Sequence, residues 1–234
     1  QSAGIHPNLH VDDIFCDVLA ASVHKWLLGP HGTSLMYIHP RYHDVWLPLD
    51  QHERSRVAFQ DDLYDAGINA IQYDGVNNDT AISGRERGYP EQFIKGAARC
   101  DSGGKKNPIL LPMILEGLKH VNTLDVPDCQ KNLKSMTDQI LDRTSRLGLT
   151  VQPGPRVGHI LGLRPNDSIK QLLTPATMLK IVENLKRQHI FLAVRCGAFR
   201  IAPYLNTTQD EIDRLVKGLE KEILKLLDGD WVMI

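Results

Sequence analysis

Ser22-Val23-His24-Lys25-Trp26-Leu27-Leu28-Gly29-Pro30-His31-Gly32-Thr33 decides how the rest of this chain is read. The apolar run before it, Phe15 to Ala21, reads as a buried strand. Thr33 to Ile38 reads as a second strand, with Gly29-Pro30-His31-Gly32 as the turn between them. Lys25 then falls at the rim of a sheet. An amine becomes a nucleophile only where desolvation or a neighbouring cation lowers its pKa, which open surface seldom does and a strand end can. The plain alternative is a sheet-edge lysine behind a hydrogen-bonded histidine.

Downstream the pattern alternates. Leu110, Leu111, Ile114, Leu118 and Val121 recur at helical spacing from Ile109. Asp125-Val126-Pro127-Asp128 interrupts, and a second helix is expected from about Cys129, with Leu133, Met136, Ile140 and Leu147 on one side and a stop at Gly148. His159 to Leu163 reads as a strand, Thr174-Pro175 as the start of a helix to about Arg187, and His189 to Arg195 and Phe199 to Ala202 as further strands. Thr208-Gln209-Asp210-Glu211 has capping-box form and opens a helix with Ile212, Leu215, Val216, Leu219, Ile223 and Leu226 on one face. Between about Arg41 and Tyr89 the sequence is polar and irregular. Tyr42, Trp46, Tyr64 and Tyr73 there are candidates for a substrate pocket or, better, for ordinary packing.

The 234 residues are long enough for one large core or two modest ones, and 42% hydrophobic with 24% charged residues is ordinary for a globular chain. A net charge of −1 without a basic run gives no recruitment to nucleic acid or to an acidic membrane. No apolar run approaches membrane-span length, and the start has no signal-peptide pattern. Cys16, Cys100, Cys129 and Cys196 are far apart, so reduced thiols in a cytoplasmic compartment are expected. The spacing of His6, His10, His24, His31, His39 and His43 fits no zinc motif.

Ser22-x-His24-Lys25-Trp26-Leu27-x-Gly29-Pro30-x-Gly32 resembles the cofactor-lysine segment of the class V aminotransferases. These are fold-type-I enzymes dependent on pyridoxal 5′-phosphate, and they include cysteine desulfurases and isopenicillin N epimerase-like proteins. The resemblance implies that Lys25 carries the cofactor as a Schiff base and that Ser22 and His24 contact its phosphate. Gln1-Ser2-Ala3-Gly4 matches the family's Asp-x-x-Gln-Ser/Ala-Gly segment from the Gln onward, so Gln1 would bond the ring hydroxyl. The Asp that pairs with the ring nitrogen would precede residue 1. An N-terminal part is therefore expected to be missing.

Two further segments carry the resemblance. Gly96 to Pro108 is similar to the family's Arg-Phe-Glu-x-Gly-Thr segment, with Cys100 in place of the aromatic and Gly104 in place of the hydroxyl residue. Backbone N–H groups of Gly103 and Gly104 would then face the phosphate, and a plain glycine turn before a helix is the equal alternative. Val194-Arg195-Cys196-Gly197 through Arg200 to Asn206-Thr207, followed by Glu211-Ile212-Asp213-Arg214-Leu215, resembles the C-terminal signature. It implies that Arg200 binds the substrate α-carboxylate, with Arg195 as second candidate or as a salt-bridge residue. A guanidinium suits the task because its planar fork holds a carboxylate bidentately and keeps its charge.

The implied architecture is α/β: part of the large mixed-sheet domain of a fold-type-I pyridoxal-phosphate transferase in residues 1–125, and a small C-terminal α/β domain in 126–234. The implied assembly is a homodimer, and the implied ligand an amino acid, as a small-molecule substrate, whose Cα reacts by transamination, epimerisation or lyase chemistry. Lys25, once freed by the incoming amino acid, would serve as general base. A desulfurase is disfavoured, because Cys196 to Phe199 is too short for a loop bearing a nucleophilic cysteine, and Cys196 is read as packing. The contrasting reading is a catalytically incomplete relative that serves as a binding or structural protein.

Overall fold

The computed structural model describes residues 2–7, 9–52, 55–56, 92–102 and 107–228. The described residues fall into two compact units, one within 2–3 and 9–123 and the other within 4–7 and 124–228. Tyr64, Tyr73 and most of the polar stretch before Tyr89 lie outside the described residues.

In the first unit a single helical turn, α1 (Val11–Ile14), ends at Phe15, which has φ 47° and is 88% exposed. The strand expected from Phe15 instead begins at Val18. β1 (Val18–Ser22) pairs antiparallel with β2 (Ser34–Ile38), from Val18 opposite Ile38 to Ser22 opposite Ser34. Only Ala21 of β1 is buried, and Leu35 and Met36 of β2 are exposed, so the expectation of a fully buried strand fails. An apolar run alone cannot say how many of its faces are covered.

The covered face meets helix α2 (Leu110–Val121), which buries Ile114, Gly117 and Val121. Ala21, Val23, Leu27 and Ile114 form this unit's buried cluster, with Leu19 and Leu118 against it. The Asn107 side-chain oxygen starts the helix by accepting from the Ile109 and Leu110 N–H groups at 2.9 and 3.0 Å. Arg99, buried in a short 3₁₀ turn over Ala97–Cys100, donates to the Ile94 carbonyl at 2.8 Å and to Asp44 at 3.1 Å. Tyr42 and Trp46 stack with ring centroids 4.0 Å apart, which is packing of one aromatic on the other.

In the second unit three helices pack on one antiparallel sheet. Helix α3 (Val126–Ser145) starts three residues earlier than expected, because Asp125 accepts the Asp128 N–H at 3.0 Å and Pro127 occupies the first turn. What reads in sequence as an interruption is the helix cap. Helix α3 stops where Gly148 takes φ 78°. The short strand β3 (Leu149–Thr150), unforeseen in sequence, leads to β4 (Leu161–Pro165). Thr174 caps α4 (Pro175–Lys186), accepting the Thr177 N–H.

β5 spans only Ala193–Arg195, since His189 has φ 59° and Phe191 is 74% exposed. β6 (Ala198–Ile201) follows, and the sheet order is β3-β4-β6-β5. The Thr208/Glu211 capping box opens α5 (Gln209–Leu227) as the sequence predicts. Leu161 and Leu163 of β4, Phe199 and Ile201 of β6, Leu133 and Ile140 of α3, Met178, Ile181 and Leu185 of α4, and Ile212, Val216, Leu219 and Ile223 of α5 are all buried.

Candidate active site

The loop from Val23 to Thr33 joins β1 to β2 and carries Lys25 in its first turn. Its shape is fixed from within. The Gly29 N–H donates to the Val23 carbonyl at 2.8 Å, and the Leu28 N–H to the Lys25 carbonyl at 3.0 Å. A Cβ at Gly29 would lie 2.8 Å from the Val23 side chain, which is fully buried. The loop is also fixed from below. Gly117 of α2 lets the Leu27 and Leu28 carbonyls come so close that a Cβ there would lie 2.7 Å from both oxygens. Lys25, itself exposed, therefore projects from a turn whose backbone is seated on a helix.

Ser22 ends β1, and His24 stands next to Lys25 with its ring stacked on His31, centroids 4.1 Å apart. Desolvation pushes the His24 imidazole below its ordinary pKa, and the neighbouring His31 and Lys25 push in the same direction. His24 is thus held neutral at pH 7, with one N–H to donate. The Thr33 hydroxyl, at the far end of the loop, is buried and has no hydrogen-bond partner among the described residues. Such a group costs free energy unless something pairs with it. Sequence reading passes over Thr33 and weighs His31 only as a metal ligand, although both sit inside the decisive stretch. It also missed Gly117, whose role depends on which helix packs beneath the loop.

Arg195 and Arg200 belong to the second unit. Arg200 is opposite Gly162 on one side and Ala193 on the other, and Arg195 is opposite Ala198. Alternation along the strands puts both arginines on the face away from buried Phe199 and Ile201, and both are exposed. Among the described residues neither has an acidic partner within ion-pair distance, unlike Arg143 with Asp213 or Arg146 with Glu220.

β5 and β6 are joined by Cys196 and Gly197 alone, with φ 49° and 69°, as in the type I′ turn of a two-residue hairpin. Cys196 is exposed on this turn, which corrects its reading as a packing residue. Gln1, Gly103 and Gly104 lie outside the described residues. All four cysteines are free thiols. Among the described residues no group of three or more His, Cys, Asp or Glu could hold a metal ion, and no helix is long and apolar enough to cross a membrane.

No family model matches the sequence, and no curated protein matches it significantly. Solved structures do match. The apo cysteine desulfurase of Thermococcus onnurineus NA1 superposes with a TM-score of 0.68 at 16% identity, over 96% of this chain and 51% of that one. A C-DES variant with glycine covalently linked to its PLP cofactor gives 0.66 at 18% identity, over 94% and 49%. Alanine–glyoxylate aminotransferase from Nostoc sp. gives 0.52 at 15%, over 91% and 49%. The chain thus shares the α/β fold of part of these solved enzymes. It spans about half the length of the structures it matches.

Proposed function

We propose that this chain contributes the C-terminal part of a pyridoxal-5′-phosphate-dependent enzyme of the class V aminotransferase family that acts at the Cα of an amino acid. The observation that carries the reading is Lys25, an exposed residue on a turn seated on Gly117, following Ser22 at the strand end and next to a neutral His24. That donor set fits a phosphorylated aldehyde. Hydroxyl and imidazole N–H groups suit the phosphate, the unpaired Thr33 hydroxyl adds a donor at the same end of the hairpin, and a primary amine suits the carbonyl. The likeness to solved enzymes of this fold supports it.

When bound, pyridoxal phosphate supplies the electron sink that lets a bond at Cα break. Lys25 would hold the cofactor through its Nζ and, as a free amine, would serve as the general base for the α-proton. Arg200, without an acidic partner among the described residues, holds the substrate carboxylate, with Arg195 beside it on the same sheet face. Gln1 for the ring hydroxyl, Gly103 and Gly104 for the phosphate, the domain boundary at 125/126, a homodimer and a cytoplasmic setting belong to the same proposal. A cysteine desulfurase is the second reading, favoured by the fold matches and disfavoured by the Cys196-Gly197 turn, which leaves no loop to carry a thiol to substrate.

The test is to express the full reading frame with pyridoxal phosphate and screen amino acids by the cofactor's visible absorption. Attachment through Lys25 predicts a visible band that Lys25→Ala loses, and a substrate-dependent shift of that band in the parent protein. A band unchanged in Lys25→Ala without added amine contradicts the assignment. No band at all favours the binding or structural relative.

A further inference from the structure

On the face of the second unit's sheet turned away from Phe199 and Ile201, the small residues and the arginines form a pattern. Leu161 and Leu163 of β4 are buried, so Gly162 and Arg164 turn the other way, toward the face that carries Arg200 and Arg195. Gly162 is opposite Arg200, and one step further in the same register Arg164 falls beside Ala198, which is opposite Arg195 on its other side. A Cβ built on Gly162 would touch that of Ala198 at 3.7 Å, so two small residues, Gly162 half-buried and Ala198 buried, lie side by side between the arginines. Strand spacing places the Arg164 and Arg195 backbones about 10 Å apart across the sheet, with Arg200 about 7 Å along the middle strand.

Among the described residues none of these three arginines has a carboxylate within ion-pair distance, whereas Arg143, Arg146 and Arg156 of the same unit are each paired. Arg164 donates to the neutral Gln152 side chain at 3.0 Å, which orients the guanidinium without neutralising it. A monocarboxylate satisfies one guanidinium fork. Three exposed forks on one sheet face match a ligand with two anionic groups.

We propose that the substrate is an amino acid with an anionic side chain, its α-carboxylate on Arg200 and its second anionic group, carboxylate or phosphate, between Arg164 and Arg195. This rests on the assignment of Arg200 to the α-carboxylate. Arg164 and Arg195 set specificity; they do not act on the reacting bond.

Calorimetric titration of the full chain at low salt tests this without turnover. L-glutamate is compared with its neutral isostere L-glutamine, and O-phospho-L-serine with L-serine. The expected result is a preference of roughly ten-fold or more for at least one anionic member of these pairs. Comparing the two pairs tells carboxylate from phosphate. Arg164→Gln and Arg195→Gln should each cut that preference severalfold, with the folded-state circular dichroism retained. Equal affinity within both pairs, no binding by any of the four, or a preference untouched by Arg164→Gln and Arg195→Gln overturns the proposal. If Arg200→Gln weakens all four ligands while no preference exists, the α-carboxylate assignment stands and the specificity proposal falls. If the preference exists but Arg200→Gln leaves every affinity unchanged, the sheet face binds dianions by another route, and both the α-carboxylate assignment and the proposal built on it are overturned.

Discussion

Gly117→Ala is expected to destabilise the protein and to misplace Lys25, against the usual effect of alanine in a helix. Helix propensity alone favours the change by about 1 kcal/mol. The added Cβ, however, meets the Leu27 and Leu28 carbonyl oxygens at 2.7 Å, and these belong to backbone, which cannot swing aside as a flexible side chain does. Overpacking of this kind costs about 1–3 kcal/mol, so it outweighs the propensity gain or matches it at least. The loop relieves the contact by lifting off α2. A displacement of about 1 Å at a reacting group lowers rates by roughly 100-fold. Denaturant midpoints measure the first effect, and the rate of cofactor attachment measures the second. An alanine variant that is more stable than the parent and attaches cofactor equally fast would show that the helix does not seat the loop.

Gln130→Leu is expected to cost about 3 kcal/mol or more, because one side-chain amide serves three buried groups. Its nitrogen donates to the Ile5 carbonyl at 2.7 Å and to His159 Nδ1 at 2.8 Å, and its oxygen accepts the Gly158 N–H at 2.9 Å. Leucine is of similar volume but leaves all three without this partner. Gly158 is fixed as well, since a Cβ there would lie 2.5 Å from the Gln130 carbonyl.

The same network makes stability depend on pH. His159 is 1% exposed and its pKa lies below the ordinary histidine value, chiefly through desolvation and secondarily through His6. With Nδ1 accepting from Gln130, the ring is neutral and carries its proton on Nε2. The unfolded chain takes up a proton near pH 6.5 and the folded chain only at lower pH. The contribution is therefore complete above about 6.5 and is lost as pH falls below it. Gln130→Glu should reduce or invert this dependence, because a carboxylate accepts from a protonated Nδ1. Denaturant unfolding at pH 8 and pH 5.5 reads both variants. A parent protein equally stable at the two values would remove His159 from the account.

Local signals in the sequence were legible wherever the physics is local. The Thr208/Glu211 box, the Thr174 cap and the apolar stripe of Ile212, Val216, Leu219 and Ile223 are decided within a few residues and hold in the structure. Boundaries set by tertiary covering were not legible. Phe15 looks like strand and is exposed, because no element among the described residues covers it, and His189 to Leu192 leave the sheet at a left-handed residue. Asp125-Val126-Pro127-Asp128 shows the opposite failure, a cap taken for an interruption.

The candidate site divides in the same way. Ser22, His24 and Lys25 can be proposed from sequence because they fall within four residues of one another. Gln130 meeting Ile5, or Arg164 sharing a face with Arg195 and Arg200, follows only from the fold and its register. The sheet-edge location of Lys25 came from composition and pattern, whereas its seating on Gly117 is a fact of packing between two elements distant in sequence.

The most direct measurement is chemical trapping. The protein is loaded with pyridoxal phosphate, reduced with borohydride, digested, and the phosphopyridoxyl mass is located by peptide sequencing. The account predicts the label on Lys25 Nζ, and its loss in Lys25→Ala. A label on any other lysine, or a protein left unlabelled, would contradict it.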